Sequence, residues 1–386
     1  MLERKRIYRK ALGYLGKGTI VFYMTAIISQ GLIGLSVAKE VIKPEKGVGL
    51  SMRRGGIYVM NDTYALVSEW SSESFITTID RETLKAFTKR WVADKAYPLD
   101  SGQKRLIYAT PISGNTSISL IDENYHILSE WIIPTEAQRI YPADGYFIVT
   151  SNQGRNPGAW YVDINNVTPI MLPSAGNQCE YITNGEYILE SGYNKLSLYK
   201  RGILLWRVDL KGVGIGDMAL TGNGHVLAVS NNDDNGKIIL TANYVDPNGN
   251  IRKLCELPAE RLAISISPNA EYAFVGIGHA IQVFNLKGSN LLWQGNLPED
   301  VKFLASAVDD NGRSVVWSTR SEVVNGQWIS DEAHLRAWNV KGEQTVVTNV
   351  FPHGVPKSEP SMILSGQKID IFSSDGIYRY IWSVEE

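Results

Sequence analysis

The chain is poor in the residues that most often do chemistry. Its 386 residues include only 2 cysteines and 5 histidines. Cys179 and Cys255 stand 76 residues apart and fall in different repeats by the spacing described below, so they read as two separate buried thiols rather than a disulfide. Neither lies near the N-terminus, where it could be acylated. His126, His225, His279, His334 and His353 are scattered, with no pair at metal-ligand spacing. There is no G-x-S-x-G elbow and no phosphate-cradling G-x-x-x-x-G-K-[ST] loop. The glycine cluster "GVGIGD" (212–217) has no helix behind it and reads as a connection between repeats. Excess charge is lacking too: a formal net charge of −2 offers no basic face for nucleic acid.

What is present begins with the first 38 residues. Arg4, Lys5, Arg6, Arg9, Lys10 and Lys17 stand against a single acid, Glu3. An uncharged run of 21 residues follows, Gly18 to Ala38. As a helix rising ~1.5 Å per residue it would span ~30 Å, about one bilayer core. The basic flank predicts a cytoplasmic segment over 1–17, a membrane span over 18–38, and everything after Lys39 on the extracytoplasmic side. Ser36-Val37-Ala38 also fits a signal-peptidase site, so two readings stand: a retained anchor in the cytoplasmic membrane, or a signal peptide cleaved after Ala38 to leave a secreted or periplasmic protein. A linker over 39–45 and a folded domain over 46–386 complete this division.

Within that domain one unit recurs. A turn dipeptide followed by an apolar strand appears as "TNGEYILESG", "TGNGHVLAVS", "SPNAEYAFVG" and "DDNGRSVVWS", with weaker copies elsewhere. The second turn residue of each copy is Asp62, Gly102, Gly145, Gly185, Gly224, Ala270, Gly312 and Gly366, at intervals of 40, 43, 40, 39, 46, 42 and 54. Around each turn stand an inner strand, an alternating third strand and an outer strand, such as "ILLWRVDL" and "NLLWQGNLP". A period of ~40–45 residues holding four short strands predicts an all-β fold, a β-propeller of four-stranded blades preceded by one hydrophobic helix. Eight blades fit the count, and seven fit if the weak copies and the irregular interval are discounted. The last copy lacks a fourth strand, which "KGVGLSMRR" (46–54) could supply from the other end of the chain. Trp131, Trp206 and Trp293 sit at equivalent places in outer strands and read as packing between blades.

The phrases "GILLWRVDL" and "GSNLLWQGNLP" resemble the Gly-x-x-x-Trp strand of pyrroloquinoline-quinone-type propeller repeats, and "SPNAEYAFVG" and "LRAWNVKGE" look similarly like WD-repeat blades. The resemblance covers about 46–386. It implies the propeller fold and a superfamily that holds both periplasmic quinone-dependent dehydrogenases and non-catalytic scaffolds of membrane-protein assembly. The Asp-bearing docking motif of the dehydrogenases is not repeated around this ring, and the acylated cysteine of the assembly lipoprotein is absent.

Three stretches are candidate sites. In "SNNDDNGK", Asn231, Asp233 and Asn235 match the opening of a calcium loop, but the twelfth position is Ala242 instead of Glu, so an extended hairpin turn competes with a metal site. The insertion "SEVVNGQWISDEAH" (321–334) carries Trp328 and Ile329 near its tip, and "NQGRNPGAW" (152–160) places Arg155 in a Gly/Pro-rich loop; both suit contact with a partner. No catalytic residue and no cofactor are predicted, with quinone or calcium as the alternatives. The leading expectation is a non-catalytic extracytoplasmic scaffold with a protein partner. An enzyme using the central channel and a ligand- or glycan-binding sensor are its rivals.

Overall fold

The computed structural model describes residues 39–385, apart from 50–56, 60–62, 71–72, 92–95, 99–104, 152–157, 174–178, 259–261, 325–326, 348–361, 374–375 and the single positions 123, 144, 167, 213, 236, 289 and 300. The described residues form eight antiparallel sheets of four strands each. Seven sheets follow chain order from an inner to an outer strand: blades 1 to 7, at 57–91, 96–133, 139–171, 180–209, 214–258, 262–296 and 301–347. Inner strands of successive blades lie side by side, and blade 8 packs back on blade 1 through Tyr64, Ile79, Leu84, Phe372 and Ile377. The fold is an eight-bladed β-propeller.

Blade 8 is assembled from both ends of the chain. Its inner three strands are Met362–Ser365, Lys368–Ser373 and Gly376–Glu385, and its outer strand is Lys39–Gly49. That outer strand pairs antiparallel with the last, from Lys39↔Glu385 to Gly49↔Gly376. The N-terminal segment thus closes the ring as expected, but seven residues earlier than 46, and the linker read over 39–45 is strand. An outer strand has one open edge, so "KEVIKPEKGVG" needs no apolar alternation. Pro44 sits where the register shifts, at Pro44/Lys46, a position an edge strand tolerates.

The local rules that write a blade are visible at its turns. Gly145, Gly185, Gly224, Gly312 and Gly366 have φ between +56° and +84°, and Ala270 adopts +58° at the same place in blade 6. The reason for glycine goes beyond the dihedral. A Cβ on Gly224 would meet the Tyr187 ring at 2.7 Å, and one on Gly312 the Tyr272 ring at 2.9 Å, so these two turns pack against an aromatic of the preceding blade. Several third-to-outer turns begin instead with Asp or Asn, whose side chain accepts backbone N–H groups, whereas blade 4 turns tightly through Arg201 and Gly202. Asp122 accepts from Asn124 and His126, Asp246 from Asn248 and Asn250, and Asn339 from Lys341 and Glu343.

Between the turns, second strands are covered on both faces: Tyr146–Ser151 is buried throughout, and Tyr272–Ile277 at every residue after the first. The outer-strand tryptophans pack between blades. Trp131 donates from Nε1 to the Asn166 carbonyl at 2.7 Å and Trp206 to that of Pro247 at 3.1 Å, while Trp293 stacks on Trp338 with centroids 5.7 Å apart. Residues 1–38, which carry the expected membrane span, lie outside the described residues. Among the described residues no helix is long and apolar enough to cross a membrane.

Candidate interaction face

Strand direction sorts every loop onto one of two faces. Inner-to-second and third-to-outer turns emerge on one, here called the lower face. Second-to-third hairpins and the connections between blades emerge on the other, the upper face. Two of the sequence candidates, at 231–235 and 321–334, fall in second-to-third hairpins, so the upper face carries them from blades 5 and 7.

Both of these hairpins outgrow the ring. In blade 5 the second strand, Val226–Asp234, pairs with the inner strand only as far as Asn231, leaving Asn232 to Asp234 beyond it. In blade 7 the second and third strands are Ser314–Val324 and Gln327–Trp338, and the inner strand ends opposite Arg320. At ~3.4 Å per residue these extensions stand about 10 Å and about 13 Å above the sheets. The 54-residue interval is thereby explained by this hairpin together with the connection before blade 8. Val323↔Trp328 and Glu322↔Ile329 are cross-strand pairs near its tip, so the expected insertion is a lengthened blade hairpin. Arg155 lies outside the described residues.

The calcium candidate is part of a regular hairpin. Asn231 and Asp233 are strand residues opposite Leu240 and Ile238, and Asn235 occupies the turn at φ +55°. Gly212, at φ +137°, brings the connection from blade 4 against this hairpin so closely that a Cβ would overlap the Asn231 carbonyl oxygen. The cluster "GVGIGD" is therefore a packing device, and its second half is the inner strand Gly214–Leu220.

Sequence reading missed exposed apolar groups on this face, among them Ile112 at the end of the second strand of blade 2. Tyr193 is 72% exposed in the second-to-third turn of blade 4, and Ile238 is 53% exposed on the blade 5 hairpin. The signal was available in "SGYNK": an aromatic in a tight turn has no core to face.

Elsewhere the polar groups are held for structure. Asp370 accepts from Tyr64 Oη at 2.5 Å and from Arg379 Nε at 2.6 Å and Nη2 at 2.7 Å, all three residues being buried. Arg379 also donates to the Glu82 carbonyl at 2.9 Å, which ties blade 8 to blade 1. Glu190, fully buried, accepts from Tyr181 at 2.7 Å and Tyr199 at 2.8 Å where blades 3 and 4 meet. Burial and the neighbouring carboxylates push both Tyr64 and Tyr199 far above the usual phenol range. Among the described residues the histidines are dispersed; His353 lies outside them. His126 contacts Asp122 at 3.1 Å on the surface, His334 is buried in blade 7, and His225 is half-buried with Nδ1 2.5 Å from Tyr244 Oη. Burial lowers the His225 pKa. Among the described residues no three His, Cys, Asp or Glu side chains come together to hold a metal. Neither cysteine forms a disulfide, and burial pushes the Cys255 thiol up to about 11.

No known family matches the chain, and no curated protein does. Solved structures do. A eukaryotic initiation factor superposes with a TM-score of 0.50 at 10% identity, covering 88% of this chain and 90% of that one. Apo AztD from Citrobacter koseri gives 0.49 at 13%, covering 86% and 90%. The β-propeller domain of Cps50 (Swd1) from Myceliophteria thermophila gives 0.40 at 14%, covering 78% and 100%. At these identities the likeness shows the fold alone.

Proposed function

We propose that the protein is a non-catalytic, extracytoplasmic β-propeller, anchored in or exported across a cytoplasmic membrane, which presents its upper face to a protein partner. The observation that carries this reading is the blade 7 hairpin, which outgrows its own inner strand and bears Trp328 and Ile329 near its tip. A rigid ring gives such a hairpin a fixed position, so binding it loses little conformational entropy. Tyr193 and Ile238 add exposed apolar surface to the same face. Aromatic anchors of this kind carry a large share of binding energy at protein interfaces.

Site-specific photocrosslinking in the native membrane fraction tests this. A crosslinker at Trp328 or Tyr193 is expected to capture a discrete protein, and one at Lys287 on the lower face is not. Replacing 321–331 by an Asn-Gly turn, which joins Arg320 to Glu332 across their existing pair, should abolish capture from Tyr193 and leave the Tm of the ring nearly unchanged. Equal capture from both faces overturns the reading. A visible absorbance band and a raised Tm on adding a quinone cofactor would replace it with the dehydrogenase alternative.

A further inference from the structure

We infer that the lower rim of the propeller is a lipid-contacting surface, so that the ring stands with its lower face on the bilayer and its upper face turned away. The inference rests on the membrane-anchored form of the proposed function and adds its orientation.

Two independent observations support it. The first is a recurrence. At the first or second residue of the outer strand, where the chain leaves the lower face, six successive blades place a large exposed apolar side chain. These are Phe87, Ile127, Ile170, Ile203, Ile251 and Leu291, between 43% and 68% exposed. Turn chemistry does not ask for them, since an Asp or Asn side chain already accepts from the turn backbone in blades 1, 2, 3, 5 and 6, and in blade 4 Arg201 N–H donates to the Glu186 carbonyl. Core packing does not ask for them either, because the same outer strands bury Trp131 and Trp206. The upper face also exposes apolar groups, but among the described residues its second-to-third hairpins do so in three blades, at Ile112, Tyr193 and Ile238, each at a different place in its hairpin. A band of apolar side chains along six blades of one rim of a rigid disc fits a flat apolar partner, with side chains entering ~5–10 Å into the headgroup boundary.

The second observation is where the chain enters the ring. The uncharged run ends at Ala38, and Lys39 is already strand. Because Lys39–Gly49 runs antiparallel to Gly376–Glu385, Lys39 lies at the lower end of blade 8, opposite Glu385. The inner-to-second turn of blade 8 leads into Lys368, which pairs with Ile381, and Trp382 N–H donates to the Gln367 carbonyl, so only the two-stranded ribbon of 39–42 with 382–385 extends past it. At ~3.4 Å per residue this ribbon reaches about 10–13 Å, comparable to a headgroup layer with its hydration. A ribbon that short keeps Lys39 close to the lower face of the ring. The entry point and the apolar rim share one face, and the long hairpins occupy the other.

The full-length chain in phosphatidylcholine vesicles containing a nitroxide-labelled lipid tests the orientation. In a Cys179→Ala, Cys255→Ala background, single cysteines replace Ile203, Ile251 or Lys237 and carry an environment-sensitive fluorophore. The probes at 203 and 251 are expected to shift to the blue and to lose at least about half their emission to the quencher, as interfacial side chains do. The probe at 237, on the upper hairpin, should lose none. Two rim positions in different blades keep the comparison available if one variant misfolds. Flotation separates the two levels of the inference. A chain that fails to float with the vesicles removes the membrane anchor and the orientation with it. A chain that floats while 203, 251 and 237 respond alike, or with 237 quenched most, overturns the orientation and leaves the anchor standing. Blue-shifted rim probes in lipid-free detergent, together with a doubled mass by light scattering, assign the rim to a second copy and overturn it too.

Discussion

At the residue scale, two positions carry predictions of opposite kind. Gly212 has neither the dihedral nor the room for a side chain: its φ is +137°, and a Cβ would collide with the Asn231 carbonyl and the Asn232 side chain. Gly212→Ala is expected to cost about 2–4 kcal/mol, left-handed strain and overpacking together, read as a lower urea midpoint with an unchanged m-value. Gly114, at φ +83° with open space around its missing Cβ, is the control; Gly114→Ala should show the dihedral part alone, about 1–2 kcal/mol. Cys255 concerns protons. Its thiol is raised from an ordinary value of 9.0 to about 11 by burial, so between those values the folded chain keeps a proton that the unfolded chain has released. Stability contributed by the neutral thiol is complete below pH 9 and is lost as pH rises towards 11, by about 2–3 kcal/mol at most. Urea melts across that window should be flatter for Cys255→Ser than for the parent. Equal slopes would show that the thiol titrates normally.

At the element scale the decisive contact is the one that closes the ring. Asp370 and Arg379 stand on adjacent strands of blade 8, and Tyr64 reaches them from blade 1. Asp370→Ala leaves a guanidinium buried without its carboxylate and should cost about 3–5 kcal/mol; Tyr64→Phe removes one hydrogen bond to a charged group, about 1.5–3 kcal/mol. Adding Arg379→Met to Asp370→Ala should restore part of the loss, because an apolar side chain carries no desolvation debt there. If the double variant is worse than the single, the charge pair is not the source of the effect. None of this cluster was legible in the sequence, since Tyr64 and Asp370 are 306 residues apart and no local pattern marks a polar group for burial. The blades were legible for the opposite reason. A positive-φ turn and an alternating strand are local demands, met within about ten residues, and they placed even Ala270 at its left-handed position. The start of the closing strand at Lys39 escaped notice because "KEVIKPEK" carries no alternation, and an edge strand does not require any. On the upper face, Trp328 and Ile329 stood out as an interruption of the repeat, while Tyr193 sits in the tight turn of "SGYNK", which fits the period and so escaped notice.

For the whole molecule, closure decides whether eight blades behave as one body. Each blade buries its faces only against its neighbours, so a ring with one weak junction exposes the apolar faces of two blades at once. The strand Lys39–Gly49 is the part of that junction supplied from the far end of the chain. A chain beginning at Lys39 should therefore unfold in one cooperative transition. A chain beginning at Leu50 leaves blade 8 with three strands and Gly376–Glu385 as an uncovered edge. Such an edge is a template for pairing with another chain. The shorter protein is expected to show a Tm lower by several degrees or more and concentration-dependent dimers by light scattering. A synthetic peptide of residues 39–49 should raise the Tm again and dissolve the dimers by adding the missing strand in trans. A peptide of the same composition in scrambled order should do neither. If the two truncated chains melt alike, blade 8 closes the ring without its outer strand, and the N-terminal segment serves only to deliver the chain to the lower face.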